Sequence, residues 1–155
     1  MILEITEHSL IDVITNSSSE LFVCDTKKSL DFVEELLVEF LNAYNRGSGN
    51  NYSFNYCFGN VYQLNSDEDV RTYLSKMVWW ENDYPSNSPY GRGNNDWDEW
   101  NKKVKIEENK IIEKNMREKK YIGKIIIESN GDNSIPFELY DLIESAFNAE
   151  RFHLG

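Results

Sequence analysis

The sequence predicts a single α/β or α+β domain over residues 1–155, with a mainly antiparallel sheet of four to six strands packed by three to four helices. Three observations lead there. The chain is 155 residues long with 40% hydrophobic and 14% aromatic side chains, and a chain of that size buries roughly 70% of the surface its unfolded form exposes. It contains three prolines, and its composition is far from that of disordered segments, which lack the apolar surface to offset ordering entropy. Short β-branched and aromatic runs alternate with stretches whose apolar residues recur at helical spacing, the pattern of strands and helices layered on one core.

Residues 1–6, 10–14 and 20–25 are short apolar runs, so the first 25 residues read as strands around the turn "TNSSS". In "SLDFVEELLVEFLNAYNRG", Leu30, Val33, Leu37, Phe40, Leu41 and Tyr44 share one helical face; with Ser29 as N-cap and Gly47 past the end, a helix covers about 29–45. The aromatic alternation of "YSFNYCF" predicts a strand over 52–58, turned at Gly59 and Asn60 and returning through "VYQL". Ser66 and Asp69 have capping spacing for a helix over 66–79 with Val70, Tyr73, Leu74, Met77 and Val78 inward. Two prolines, two glycines and many asparagines make Glu81 to Asn95 a loop. A charged helix follows over 96–119, then "YIGKIIIE" as a strand buried on both faces, "SNGDNS" as a turn, and a terminal helix from Pro136 to 151.

The formal net charge is −11, which disfavours sequence-independent binding to DNA or RNA, since that affinity comes from lysine and arginine displacing counterions. Residues 101–124 hold nine basic and four acidic side chains, a local excess of +5, so the rest of the chain carries −16. Such a surface keeps a protein dispersed and steers it toward basic partners. Cys24 and Cys57 each lie in an apolar run and read as buried free thiols. "MILEITEHSL" carries no basic leader, and no apolar run approaches the 18 residues of a membrane span, so a cytoplasmic setting is expected and the glycosylation sequons at Asn16 and Asn51 are without consequence.

Three kinds of chemistry can be asked of the serine turn. Asn16, Ser17, Ser18 and Ser19 could present hydroxyls and backbone N–H groups to a phosphate or carboxylate, although neither the close-approach glycine nor the lysine of a phosphate loop is present. A serine nucleophile needs a base and an orienting group, and the chain holds His8 and His153 with no nucleophile-elbow glycines. The structural alternative is a turn that satisfies its own backbone, with Ser17 and Glu20 at capping-box spacing. "ITNSSSELFV" also resembles the near-N-terminal TNSSS signature of small phage and mobile-element proteins, matching at Thr15, Asn16, Ser17, Ser18 and Ser19 and departing at Glu20 and Leu21. The resemblance covers about ten of 155 residues; it implies a phage or prophage origin and brings no catalytic mechanism.

His8, Cys24, Cys57 and His153 lack zinc-site spacing, and "SDED" and "DWDE" lack the pattern of a calcium loop and read as helix starts, so no metal or cofactor is implied. All four tryptophans, Trp79, Trp80, Trp97 and Trp100, fall within 22 residues around a loop carrying Tyr84, Tyr90 and Arg92. Aromatic residues and arginine are enriched at binding hot spots, and Asp96 and Asp98 add complementarity to a basic partner. Trp80, Tyr84, Tyr90, Arg92, Asp96, Trp97, Asp98 and Trp100 are therefore the candidate partner-binding set. The expectation is a non-enzymatic, acidic, phage-type protein that binds a host protein or complex and inhibits a defence or nucleic-acid-processing machine, in the manner of an anti-CRISPR protein or a nucleic-acid mimic. Two other classes compete: a nucleotide or small-anion-binding protein, enzymes included, built on the serine turn, and a phage assembly component that self-associates through the tryptophan region.

Overall fold

A computed structural model of the chain describes residues 19–81 and 97–154. Its fold is mixed α/β, with four strands and five α-helices among the described residues: β1 (Ser19–Cys24), α1 (Leu30–Ser48), α2 (Phe54–Cys57), β2 (Phe58–Gln63), α3 (Asp67–Glu81), α4 (Trp97–Glu118), β3 (Ile125–Ser129), α5 (Tyr140–Phe147) and β4 (Ala149–Leu154). A single 3-10 turn, Phe137–Leu139, leads into α5. The chain divides into two compact units, one whose described part is residues 19–65 with 123–154, the other residues 66–81 with 97–122.

The first unit is an antiparallel sheet in the order β2-β3-β1-β4. Strand alternation divides its side chains between two faces. Phe22 and Cys24 of β1 stand opposite Ile127 and Ile125 of β3, and this face packs with Val33, Leu37 and Leu41 of α1 and Ile143 and Phe147 of α5 into one buried core. Burying a side chain of this size contributes about 1.5–3 kcal/mol, so these residues decide which way the sheet faces. The other face carries Leu21, Val23, Ile126 and Glu128, all buried. Burial on both faces is what the unbroken apolar run of β3 predicts.

Local chemistry sets both ends of α1, the first at the predicted Ser29 cap and the second at Gly49, two residues past the expected Gly47. Ser29 Oγ accepts from Phe32 N, and Gly49 closes the helix at φ +76°, its N–H donating to Asn45 O at 2.9 Å. Gly47 lies inside the helix, which runs one turn further than its apolar stripe requires. In the second unit, Ser66 and Asp69 exchange the two bonds of a capping box, at 3.1 and 3.2 Å. Arg71 of α3 meets Glu113 of α4 at 2.6 Å, and the Tyr73 and Tyr121 rings pack with centroids 5.5 Å apart.

Three expectations are corrected. Residues 52–58 do not form a strand: Ser53 caps the one-turn helix α2 by accepting from Tyr56 N, and β2 begins at Phe58. Gly59 and Asn60 are not a hairpin turn but part of β2, at a register shift opposite β3. A Cβ at Gly59 would lie 3.0 Å from Ser129 O, so glycine is what allows the two backbones to approach there. The terminal helix does not reach 151; Asn148 ends it at φ 46° in the left-handed region, and the chain returns as β4 beside β1. The expected strands at 1–6 and 10–14 lie outside the described residues, as does the expected loop from Glu81 to Asn95 apart from Glu81 itself, which ends α3.

Candidate functional site

Register brings the first cluster together. β1 and β4 place Glu20 directly opposite His153 and diagonal to Arg151, positions close enough for long side chains to meet. Glu20 is 4% exposed, and a buried carboxylate is costly unless charged or strong donors surround it. Here His153 Nδ1 lies 2.6 Å from Oε1 and Arg151 Nη1 3.3 Å from Oε2. Because a carboxylate only accepts, His153 presents Nδ1–H to Glu20. Arg151 also donates from Nε to Glu144 at 2.9 Å and sits 4.7 Å from the centroid of the Tyr140 ring. Burial, followed by the Glu20 charge and partly offset by Arg151, pushes the Tyr140 phenol up to about 12. Glu20 thus joins β4 to β1 and orients a histidine whose side chain is 54% exposed.

Tyr140 also belongs to the second feature, a groove of about 310 Å³ between the 52–56 segment and the 133–140 segment. One wall is a tyrosine stack: Tyr52 lies nearly parallel to Tyr44 at 6.3 Å and to Tyr56 at 5.2 Å, with interplanar angles of 11° and 13°. The wall is fixed from behind by Asn45, whose Nδ2 donates to Tyr52 O at 2.9 Å and whose Oδ1 accepts from Tyr52 N at 3.1 Å. The floor is held by Ser134, whose hydroxyl donates to Cys57 O at 2.7 Å and accepts from Gly131 N at 3.1 Å. Phe137, Glu138 and Tyr140 also line the groove. Phe137 is 72% exposed and Tyr56 54%, which leaves large aromatic surface in water beside a preformed concavity.

The residues singled out from sequence fare differently. Asn16, Ser17 and Ser18 lie outside the described residues, whereas Ser19 opens β1, is buried, and donates its hydroxyl to Asp132 Oδ1 at 3.2 Å. An anion at that hydroxyl would have the Asp132 carboxylate as a neighbour. The Ser17 half of the capping reading lies outside the described residues, and Glu20 sits in the strand expected at 20–25, now β1, where β4 engages it. Tyr84, Tyr90, Arg92 and Asp96 lie outside the described residues, while Trp80 falls in α3 and Trp97, Asp98 and Trp100 in the first turn of α4. Both cysteines are free and buried, and burial pushes Cys24 up to about 12 and Cys57 to about 11, so they are thiols at neutral pH. Among the described residues no group of three His, Cys, Asp or Glu side chains is placed to hold a metal, and no helix is long and apolar enough to cross a membrane.

Neither feature stood out in the sequence. The Arg-x-His pair at 151 and 153 carries the period-two signal of a strand face, hidden by extending the preceding helix across it. The groove had a signal in Tyr52 and Tyr56, four residues apart, the spacing of a helical pair. The comparisons add no likeness: no protein-family model, no curated protein and no solved structure matches the chain.

Proposed function

We propose that this chain is a non-catalytic binding protein that engages a protein partner with a basic surface, of the kind that handles nucleic acid, and inhibits it by occupying that surface. The observation that carries the reading is the tyrosine groove, where Phe137 and Tyr56 hold 72% and 54% of their surface in water beside a concavity of about 310 Å³. Aromatic side chains on a rigid frame are what binding hot spots are made of, because they desolvate a large area at little entropic cost. The net charge of −11 selects the sign of the partner. By composition, the tryptophan-flanked segment with Trp80, Trp97 and Trp100 adds residues of the types enriched at binding hot spots. The TNSSS resemblance supports a phage or mobile-element origin for such an inhibitor, whose target would then be a bacterial host protein.

The test is capture from a bacterial lysate by the immobilised chain, followed by reconstitution from purified components. A discrete basic protein is expected, forming a complex of fixed stoichiometry that weakens at high salt as screening shortens the reach of the charges. Tyr56→Ala and Phe137→Ala should weaken it. Recovery of no discrete partner at low salt, or of an acidic partner indifferent to these substitutions, would overturn the reading.

A further inference from the structure

We propose that the tyrosine groove receives the guanidinium of an arginine side chain presented by the basic partner, stacked on Tyr56 and paired with the carboxylate of Glu138. This rests on the reading that the partner is basic, and it assigns that partner's chemistry to one place on the molecule. Among the described residues lining the groove, Glu138 bears charge, and the charge is negative. Five aromatic rings line the same groove, those of Tyr44, Tyr52, Tyr56, Phe137 and Tyr140. A ring face attracts a cation through its quadrupole, and several rings with one acid are the composition of an organic-cation site.

Arginine suits this groove better than lysine. Its guanidinium is planar, less strongly hydrated than an ammonium, and able to stack on a ring while donating sideways to a carboxylate. The molecule already contains that arrangement, since Arg151 sits 4.7 Å over the Tyr140 ring while bonded to Glu144 and Glu20. Tyr52 stacks on both of its neighbours, so Tyr56 ends the row, and more than half of its surface is exposed. The two hydrogen bonds from Asn45 to the Tyr52 backbone hold that wall in place before anything binds, so little ordering cost remains to be met on association. A nucleobase could stack there too, but it would bring phosphates to a chain of net charge −11.

The experiment titrates the isotope-labelled full chain with acetyl-Gly-Ser-Arg-Ser-Gly-amide, and with matched peptides carrying lysine or citrulline in place of arginine, while amide resonances are followed. The arginine peptide should shift Tyr52, Tyr56 and Glu138, with affinity at least about fivefold above the citrulline peptide, which keeps the shape and loses the charge. Tyr56→Ala and Glu138→Gln should each weaken the arginine peptide about three- to tenfold. Both side chains are exposed, so neither change threatens the fold. Equal binding of the citrulline peptide, shifts away from the groove, or indifference to both substitutions would overturn the assignment. If a purified basic partner still binds while the groove stays unshifted, the groove is retired and the basic-partner reading stands; if no basic partner binds at all, that reading fails on its own account.

Discussion

Glu20 and Glu128 are two buried carboxylates on opposite faces of the same sheet, 4% and 3% exposed, and they are made tolerable in different ways. Glu20 is answered by charge: Arg151 reaches it from β4, with the His153 ring N–H as a second donor. Glu128 is answered by neutral donors, the Tyr62 hydroxyl at 2.9 Å and Asn60 Nδ2 at 3.1 Å, both from β2. The difference follows from what borders each face. Glu20 lies at the end of the core face, where Arg151 can pair with it while staying 36% exposed; Glu128 is paired from within the sheet by β2. The first acid ties a strand to the sheet through groups that still touch water; the second is part of the buried polar bonding between β2 and β3.

The largest expected effect separates the two acids by the same isosteric change. Glu20→Gln removes the charge that Arg151 and His153 were placed to meet and turns an Nε2 donor toward an arginine; loss of about 1–3 kcal/mol of unfolding free energy is expected, below the range for fully buried pairs because both partners are partly exposed. Glu128→Gln should stay within about 1 kcal/mol of wild type. There the amide carbonyl can still accept from Tyr62, a rotated Asn60 amide can accept from the new donor, and a buried charge is gone. Chemical denaturation of both variants at neutral pH measures the pair. Equal losses, or the reverse order, would show that the two environments are energetically alike.

Alkaline titration sharpens the contrast through the tyrosines. Burial first, and then Glu128, pushes the Tyr62 phenol far above its ordinary value, while burial first, and then the Glu20 charge partly offset by Arg151, takes Tyr140 up to about 12. Both folded values lie above the unfolded one near 10, so as pH rises past about 10 the unfolded chain loses these protons first and stability falls. Stability from each phenol is fully present below about pH 10, and each should contribute a slope of about −1.4 kcal/mol per pH unit until its folded value is reached. Tyr62→Phe and Tyr140→Phe should each flatten the measured slope. In the folded protein, ultraviolet absorbance should show Tyr140 ionising near 12, a transition missing in Tyr140→Phe, whereas Tyr62→Phe should remove no transition before unfolding.

These two acids also show what was legible in the sequence. The cap at Ser29, the capping box at Ser66 and Asp69 and the doubly buried run of β3 were readable because each is a local signal whose physics is complete within a few residues. The aromatic run at 52–58 was ambiguous in principle: Tyr52, Phe54, Tyr56 and Phe58 are spaced by two, but also pair by four. Structure chooses the second reading, with Tyr52–Tyr56 at 5.2 Å and Phe54–Phe58 at 4.9 Å. Ser53 was the available hint, as a cap one residue before α2. The Glu20 cluster could not be read locally, because its partners lie more than 130 residues away and meet it through strand register alone. Reading Asn148 as a helix terminator would have freed Arg151 and His153 to be seen as one strand face.

Salt gives the smallest effect and the most direct test of the mechanism. Arg151 is 36% exposed and His153 54%, so ions can screen the attraction that Glu20 feels, over a distance that falls to about 3 Å at 1 M salt. The neutral donors around Glu128 offer nothing of that kind to screen. The stability gap between wild type and Glu20→Gln should therefore shrink by a few tenths of a kcal/mol, roughly, between low salt and 1 M sodium chloride, while the gap for Glu128→Gln stays constant. Taking the difference of differences cancels the general effect of salt on apolar burial, which acts on all three proteins alike. A Glu20 gap that did not move would mean that its pairing works through hydrogen-bond geometry and packing instead of charge, and the contrast between the two faces would reduce to the number of donors each carboxylate has.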